Sequence, residues 1–395
     1  MKNKGVNYRY MILVGDGMAD FPVDELDGKT PLEHALTPNM DRVAAMGRIG
    51  LLATIPDGCL PGSDIGNMSL LGYDPTQYFC GRAPIEAASM GIELGEDDVA
   101  FRCNLVTIEN GIMQDYSAGH ISTLVATDII NALQKELGND KVKFHPGSSY
   151  RHVLTVKNIG AKLNCTPPHD ITGQKIDGYL PKGDDQAEYI LSIMNKARDI
   201  IASLEFGDKN LATDIWLWGQ GPALTLPSLF FRYGLKGSVI SAVDLVRGLG
   251  KLAKLKIRYV DGATGYLGTN YAGKVAAAKQ AFEEGENFVL LHVEAPDETS
   301  HEGDLNKKIQ AIEEFDRHVV GEMLKYQAET NGLRIAVAAD HITALSTRTH
   351  DASPVPFCMC GDGLEADDAD QYNEKAAQDR APIGGPAFFE MLING

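Results

Sequence analysis

Three short, wholly apolar runs, each closing on a carboxylate, constrain this chain more than any other feature. Tyr10 to Val14 (YMILV) ends in Gly15-Asp16-Gly17. Phe288 to Val293 (FVLLHV) ends in Glu294-Ala295-Pro296-Asp297, and Arg334 to Ala339 (RIAVAA) ends in Asp340-His341. Runs of this length with β-branched residues and Gly or Asp punctuation read as strands buried on both faces, the kind found in parallel sheets covered by helices. Open α/β sheets place their sites at the carboxyl ends of such strands, so Asp16, Asp297 and Asp340 are expected to converge there.

Between the second and third runs, Leu305, Ile309, Ile312, Phe315, Val319 and Met323 recur at three- and four-residue spacing behind a capping Asp304. That spacing predicts a sheet-covering helix, with Glu313, Glu314, Asp316 and Arg317 as solvated or packing residues rather than catalysts. A further helix is expected over Asp185 to Leu204 and a strand over Asp214 to Trp218. The stretch from Ile108 to Leu204 breaks the alternation with turns such as HPGSS and CTPPHD. It predicts an inserted smaller α+β cap over 108–204, with residues 1–107 and 205–395 forming an α/β core. The joins near Ile108 and Leu204 would be hinges of a closure that keeps water from the reaction.

The 395 residues carry a formal charge of −18, and no Lys/Arg cluster is present. That balance argues against nucleic acid, whose phosphates are bound by basic patches. No run approaches the ~20 apolar residues of a membrane span, and MKNKGVNYRYMILVGDG has no signal-peptide cleavage region, so a cytoplasmic protein is expected. The six cysteines form no CxxC pair and are expected to be reduced and mostly structural. The acidic stretch Glu365 to Asp370 reads as a solvated loop.

Asp297 and His301 stand four apart, which on a helix places both on one face where they can hold one ion. Asp340-His341 is a second such pair, His350 follows in Thr349-His350-Asp351, and Asp16 adds a carboxylate. A single Asp after a strand is usually a turn residue and a single His usually packs. Together these residues make two sets of oxygen and imidazole donors suited to Mn²⁺, Zn²⁺ or Mg²⁺. Cys59-Leu60-Pro61-Gly62-Ser63-Asp64 looks like a loop entering a helix, which leaves Ser63 either as an ordinary N-cap or as a hydroxyl beside N–H groups free for an anion. A metal beside that hydroxyl would make it a nucleophile for in-line phosphoryl transfer.

At this point the chain resembles the alkaline phosphatase superfamily, and within it the archaeal-type cofactor-independent phosphoglycerate mutases. The motifs are VGDGMAD, KTPLEHALTPNMD, PGSD, LLGYDP, GRAPIEAASMGIEL, VEAPDETSHEGD, ADH and THDASPVPF. The resemblance implies a phosphatase-like core sheet flanked by helices, with an inserted cap. It implies one metal on Asp16, Ser63, Asp340 and His341, another on Asp297, His301 and His350, and catalysis through phosphorylated Ser63. The substrate it implies is a small phosphorylated or hydroxylated metabolite, with Arg82, His120, Arg151, His169 and Lys274 as candidate contacts and His152 and Asp170 lining the cap. Archaeal-type mutases carry an Arg-rich DRRAGRI-like segment where this chain has Asp115-Tyr116-Ser117-Ala118-Gly119-His120-Ile121. That segment, with SYRHVL, PPHDITGQ, WLWGQG and GATGYLGTNYAGK, resembles a branch proposed to be homoserine kinases, for which ATP would be the phosphoryl donor.

Overall fold

The computed structural model describes residues 7–183, 185–205 and 211–395. The first six residues, which belong to the leader expectation, lie outside them. The chain divides into two units, one of residues 1–79 and 226–395 and one of residues 80–225.

The first unit is built on an eight-stranded sheet in the order Pro382–Gly384, Arg48–Ala53, Val355–Cys360, Leu333–Ala338, Arg9–Gly15, Phe288–Val293, Gly237–Ile240 and Lys256–Ile257. The Arg9–Gly15 strand lies parallel to both the Phe288–Val293 and the Leu333–Ala338 strands. All three expected apolar runs are therefore adjacent, and each is almost completely buried. The register pairs Val14 with both His292 and Ala338, which brings Asp16, Glu294 and Asp340 to one edge of the sheet.

The helix expected behind Asp304 begins at Leu305, with the Asp304 carboxylate accepting from Lys307 N–H. It runs as an α-helix to Phe315, passes through one π turn at Asp316–Val320, and continues over Gly321–Ala328. Asp316 is buried and accepts from the Asn39 and Met40 N–H groups at the start of the Pro38–Ala45 helix, so it packs as expected. Glu313 likewise accepts from Leu36 N–H.

The second unit carries a five-stranded antiparallel sheet. Its strands run Ile112–Asp115, Asp98–Glu109, Arg151–Lys157 and Val142–Ser148, with Asp214–Pro222 also pairing with Asp98–Glu109. The Thr123–Leu137 and Asp185–Ser203 helices contribute Ile129, Leu133, Ile190 and Ala197 to the core with Phe101, Cys103 and Leu154. Ala83 and Ala87 of the Arg82–Ser89 helix pack with Ala100 and Val153. This unit is wider than the expected 108–204 insert at both ends. Ile108 lies inside the Asp98–Glu109 strand rather than in a joint, because that strand is held on both sides by pairing. The chain crosses between units at Phe79–Cys80 and Thr225–Leu226. All six cysteines are free, and among the described residues no helix is long and apolar enough to cross a membrane.

Candidate metal centre and the residues around it

The sheet edge gathers two sets of donors. Asp16, Asp340 and His341 form one, and Asp297, His301 and His350 the other; within each set the donor atoms lie within 4.8 Å of one another. Asp16, Asp340 and His341 are fully buried or nearly so, whereas His301 and His350 are partly exposed. The Ala295–Glu302 helix carries Asp297 and His301 on one face, as the spacing predicts, with their side chains 3.3 Å apart. His350 stands on the Thr349–Asp351 strand with its Nε2 3.0 Å from His301 Nε2. The rings of His341 and His350 are 4.0 Å apart, so the two sets adjoin.

Ser63 is not an N-cap. Gly62 takes that position and Ser63 is the first residue of the Ser63–Leu70 helix, which leaves its hydroxyl free of the backbone. The hydroxyl lies 3.1 Å from His341 Nε2. Gly66 brings this helix close, since a Cβ there would sit 2.2 Å from the Asp340 carbonyl. Asn67 ties the two segments together, its amide donating to Asp340 Oδ2 at 2.7 Å and to Ser63 O at 3.0 Å.

The electrostatics of both sets suit a divalent cation. Burial, with the neighbouring carboxylates of Asp340, Asp297 and Glu294, pushes the Asp16 carboxyl well above its usual range. Both Asp16 oxygens are buried without a hydrogen bond. Such a group is costly to bury unless something positive satisfies it. In the other set, burial would raise Asp297, but the imidazoles of His301 and His350 hold it well below the carboxylate range. Burial works to lower His301, yet Asp297 carries it up to about 9. Two Nε2 atoms 3.0 Å apart beside a carboxylate require a cation or a proton among them.

Three neighbours carry no motif and were not singled out in the sequence. His292, in the middle of its strand, places Nε2 2.9 Å from Asp16 Oδ2 without hydrogen-bond alignment, and burial lowers its imidazole to about 4, so it is neutral. A histidine inside FVLLHV was the available signal. Asn67 and Thr343 are the others. Thr343 donates to Asp297 Oδ1 at 2.5 Å and lies 3.1 Å from His341 Nδ1.

The five candidate substrate contacts fall on both units. Lys274 is in the first unit, completely buried, donating to His292 O at 2.9 Å, and burial lowers its ammonium to about 8. The other four belong to the second unit. Arg82 and the buried Arg102 both reach Glu86, at 3.2 and 2.9 Å, and Arg102 lies 4.4 Å over the Trp218 ring. His169 packs on Trp218 and Tyr116, Tyr116 and His120 pack on Tyr150, and the Arg151 guanidinium lies 5.4 Å over Tyr150. Asp170 is exposed beside His169. His152 does not line a surface: it is buried, and its Nδ1 accepts from Gly147 N–H because alternate residues of its strand face the core.

The sheet order, with carboxylates delivered at the ends of its parallel strands and a second unit inserted between Phe79 and Leu226, defines an α/β protein whose core is built from two separate segments of the chain. A family model described as 2,3-bisphosphoglycerate-independent phosphoglycerate mutase matches residues 44–206. A Methanosarcina barkeri protein of the same name is 49% identical over 94% of this chain and 95% of its own. The chain belongs to the cofactor-independent phosphoglycerate mutase family. Among solved structures, the PH0037 protein from Pyrococcus horikoshii is similar with a TM-score of 0.82 and 26% identity, covering 98% of this chain and 97% of that one. The cofactor-independent phosphoglycerate mutase from Thermoplasma acidophilum shares the fold with a TM-score of 0.64 and 23% identity, covering 98% of each chain.

Proposed function

We propose that this protein transfers a phosphoryl group through Ser63 and interconverts 2- and 3-phosphoglycerate. The observation that carries this reading is the Ser63 hydroxyl, unused by its own helix and 3.1 Å from His341 Nε2, at the edge of two adjoining donor sets. Near-full-length relatives named as such mutases support the substrate. Asp16, Ser63, Asp340 and His341 would hold one divalent ion and Asp297, His301 and His350 the other, Mn²⁺, Zn²⁺ or Mg²⁺ by donor type. Bound ions would lower the hydroxyl pKa and offset the charge of the transferring group.

In the first step the bond from Ser63 Oγ to phosphorus forms as the substrate P–O bond breaks. The departing glycerate oxygen takes up the proton that Ser63 gives up. In the second, the neighbouring glycerate hydroxyl attacks the phosphorus as the Ser63 Oγ–P bond breaks, and its proton goes to Ser63 Oγ. Asn67 holds the Ser63 and Asp340 segments in place throughout. On the second unit, Arg82 and Arg151 are the candidate charge partners for substrate carboxylate or phosphate, with His120 and His169 beside them.

A homoserine kinase that draws on ATP is the second reading, favoured by the Asp115–Ile121 loop. Asp115 is used up in accepting from Ser117 and Gly119 N–H, and the loop presents Tyr116 and His120 rings where the mutase pattern has guanidinium groups. Purified protein with Mn²⁺ is incubated with 3-phosphoglycerate alone and, separately, with homoserine and ATP. The mutase reading expects 2-phosphoglycerate in the first tube and none in either from Ser63→Ala. Phosphohomoserine in the second tube only, or undiminished turnover by Ser63→Ala, overturns it.

A further inference from the structure

We propose that Thr343, which belongs to neither donor set, positions both, by fixing the tautomer of His341 and the carboxylate of Asp297 through one hydroxyl. This rests on the ligand sets proposed above. Thr343 is completely buried on the Ile342–Ala344 strand. Its Oγ1 donates to Asp297 Oδ1 at 2.5 Å and lies 3.1 Å from His341 Nδ1. A hydroxyl has one proton. That proton goes to Asp297 Oδ1, to which the hydroxyl donates. The contact to His341 must then run the other way, with Nδ1–H donating to Thr343 Oγ1. That leaves Nε2 of a neutral imidazole without a proton, aimed at Ser63 Oγ, Asp16 and Asp340 at 3.1, 3.4 and 3.5 Å. Nitrogen ligands must be unprotonated to bind an ion, and the partner of the other ring nitrogen decides which one is.

The hydroxyl is held from three directions. Thr343 pairs in register with His350, its carbonyl accepts from Lys308 Nζ at 2.8 Å, and its N–H donates to Ala19 O at 3.3 Å. The Asp16–Gly17 turn packs directly on it: Gly17 has φ of 60°, and a Cβ there would lie 2.4 Å from Thr343 Oγ1 and 2.7 Å from Asp297 Oδ1. A residue touching the Asp16 turn, Asp297, His341 and the His350 strand should therefore affect both ions, not one.

The test is Mn²⁺ titration calorimetry on chelator-stripped protein. Thr343→Val keeps the shape and removes the hydroxyl; Thr343→Ser keeps the hydroxyl. Wild type is expected to bind two ions, Thr343→Val to bind both about ten- to a hundredfold more weakly, and Thr343→Ser to stay within about threefold of wild type. Unchanged affinities in Thr343→Val, or a loss at one ion alone, refute the positioning role while leaving the ligand sets standing. A wild type that binds no ion overturns both. Should Thr343→Val not fold, long-range ¹H–¹⁵N spectra of the unsubstituted, metal-free protein decide, with the His341 signals assigned by their loss in His341→Asn. The proton is expected on Nδ1, and a proton on Nε2 refutes the proposal.

Discussion

Replacing Lys308 by Met removes the ammonium of a side chain that is completely buried in the first unit. Its Nζ lies 2.7 Å from Asp20 Oδ2, 3.3 Å from Ala19 O and 2.8 Å from Thr343 O. Burial alone lowers its pKa, and Asp20 acts in the opposite direction. Breaking a buried pair by removing one partner costs about 3–5 kcal/mol, because the other charge stays behind unpaired. Asp20 would still accept from Phe21 and Leu345 N–H, at 2.7 and 3.2 Å, which places Lys308→Met near the lower end, about 3 kcal/mol. Asp20→Asn strands the ammonium instead and should cost a similar amount. The double variant leaves neither member of the pair charged; Ala19 O still accepts from Thr343 N–H and Thr343 O loses its Lys308 donor, a loss of about 1–2 kcal/mol. The singles should thus exceed the double by about 4 kcal/mol in a cycle. The measurement is urea unfolding in chelator, so that ion binding adds nothing to apparent stability. Both tryptophans, Trp216 and Trp218, belong to the second unit, so fluorescence follows that unit while far-ultraviolet dichroism follows both. The dichroism transition of the first unit should move and the fluorescence transition should not. A cost below about 1 kcal/mol for Lys308→Met, or a double variant equal to the sum of the singles, would show that the pair is not a buried charge pair in this sense.

Two further perturbations are read in the same way. His152 is buried in the second unit and burial lowers its imidazole from 6.5 to about 4. The unfolded chain therefore binds its proton first as the pH falls, so stability is lost from about 6.5 down to about 4 and levels off below, a loss of up to about 3 kcal/mol. His152→Asn, whose Oδ1 can still accept from Gly147 N–H, should flatten that part of the pH profile of the tryptophan-monitored transition; an unchanged slope would count against it. Gly66→Ala puts a Cβ 2.2 Å from the Asp340 carbonyl, so the Ser63 helix must shift away at a cost of about 1–3 kcal/mol. Turnover should fall with stability, and a variant as stable and active as wild type would show that the close approach is not needed.

The sequence made the two donor sets legible and left the residues that hold them in place hidden, for physical reasons. Asp16, Asp297 and Asp340 were visible because buried strands leave a strong apolar pattern and the carboxylate falls where the pattern stops. Asp297 and His301 were visible because helical spacing puts them on one face. Thr343 and Asn67 have no such pattern, since a single polar residue that bonds across more than forty positions leaves no local trace; Asn67 and Asp340 are 273 residues apart. Lys308 was masked by its helix. The spacing counted Leu305 and Ile309 as the apolar stripe, whereas Lys308 lies on the buried side and Ile309 is half-buried, because Asp20 supplies the charge that lets a lysine occupy a core position. The turns pointed to an insert over 108–204, whereas the second unit spans 80–225, because its outermost strands, Asp98–Glu109 and Asp214–Pro222, read locally like any others and belong together only through pairing with each other.

That pairing bears on how substrate choice can change in such a chain. The Arg9–Gly15 strand is flanked by two strands that follow the insert, and every donor of the proposed centre lies within residues 1–79 or 226–395. Tyr73, shortly before the chain leaves the first unit, donates to Pro227 O at 2.7 Å just after it returns, so the insert starts and ends at one place on that unit. Loop-closure entropy grows only logarithmically with length, by about 0.6 kcal/mol per doubling. An insert anchored this way can therefore change its own face with little effect on the fold that carries Ser63 and the two donor sets. In this chain that face holds Tyr116, His120, Tyr150, His169 and Trp218 among its arginines. Under the proposed function, the chemistry belongs to residues 1–79 and 226–395 and the choice of acceptor to residues 80–225. Substitutions at Tyr116 or His120 should accordingly alter KM for the substrate while leaving Mn²⁺ affinity unchanged, and a matching loss of Mn²⁺ affinity would refute that division.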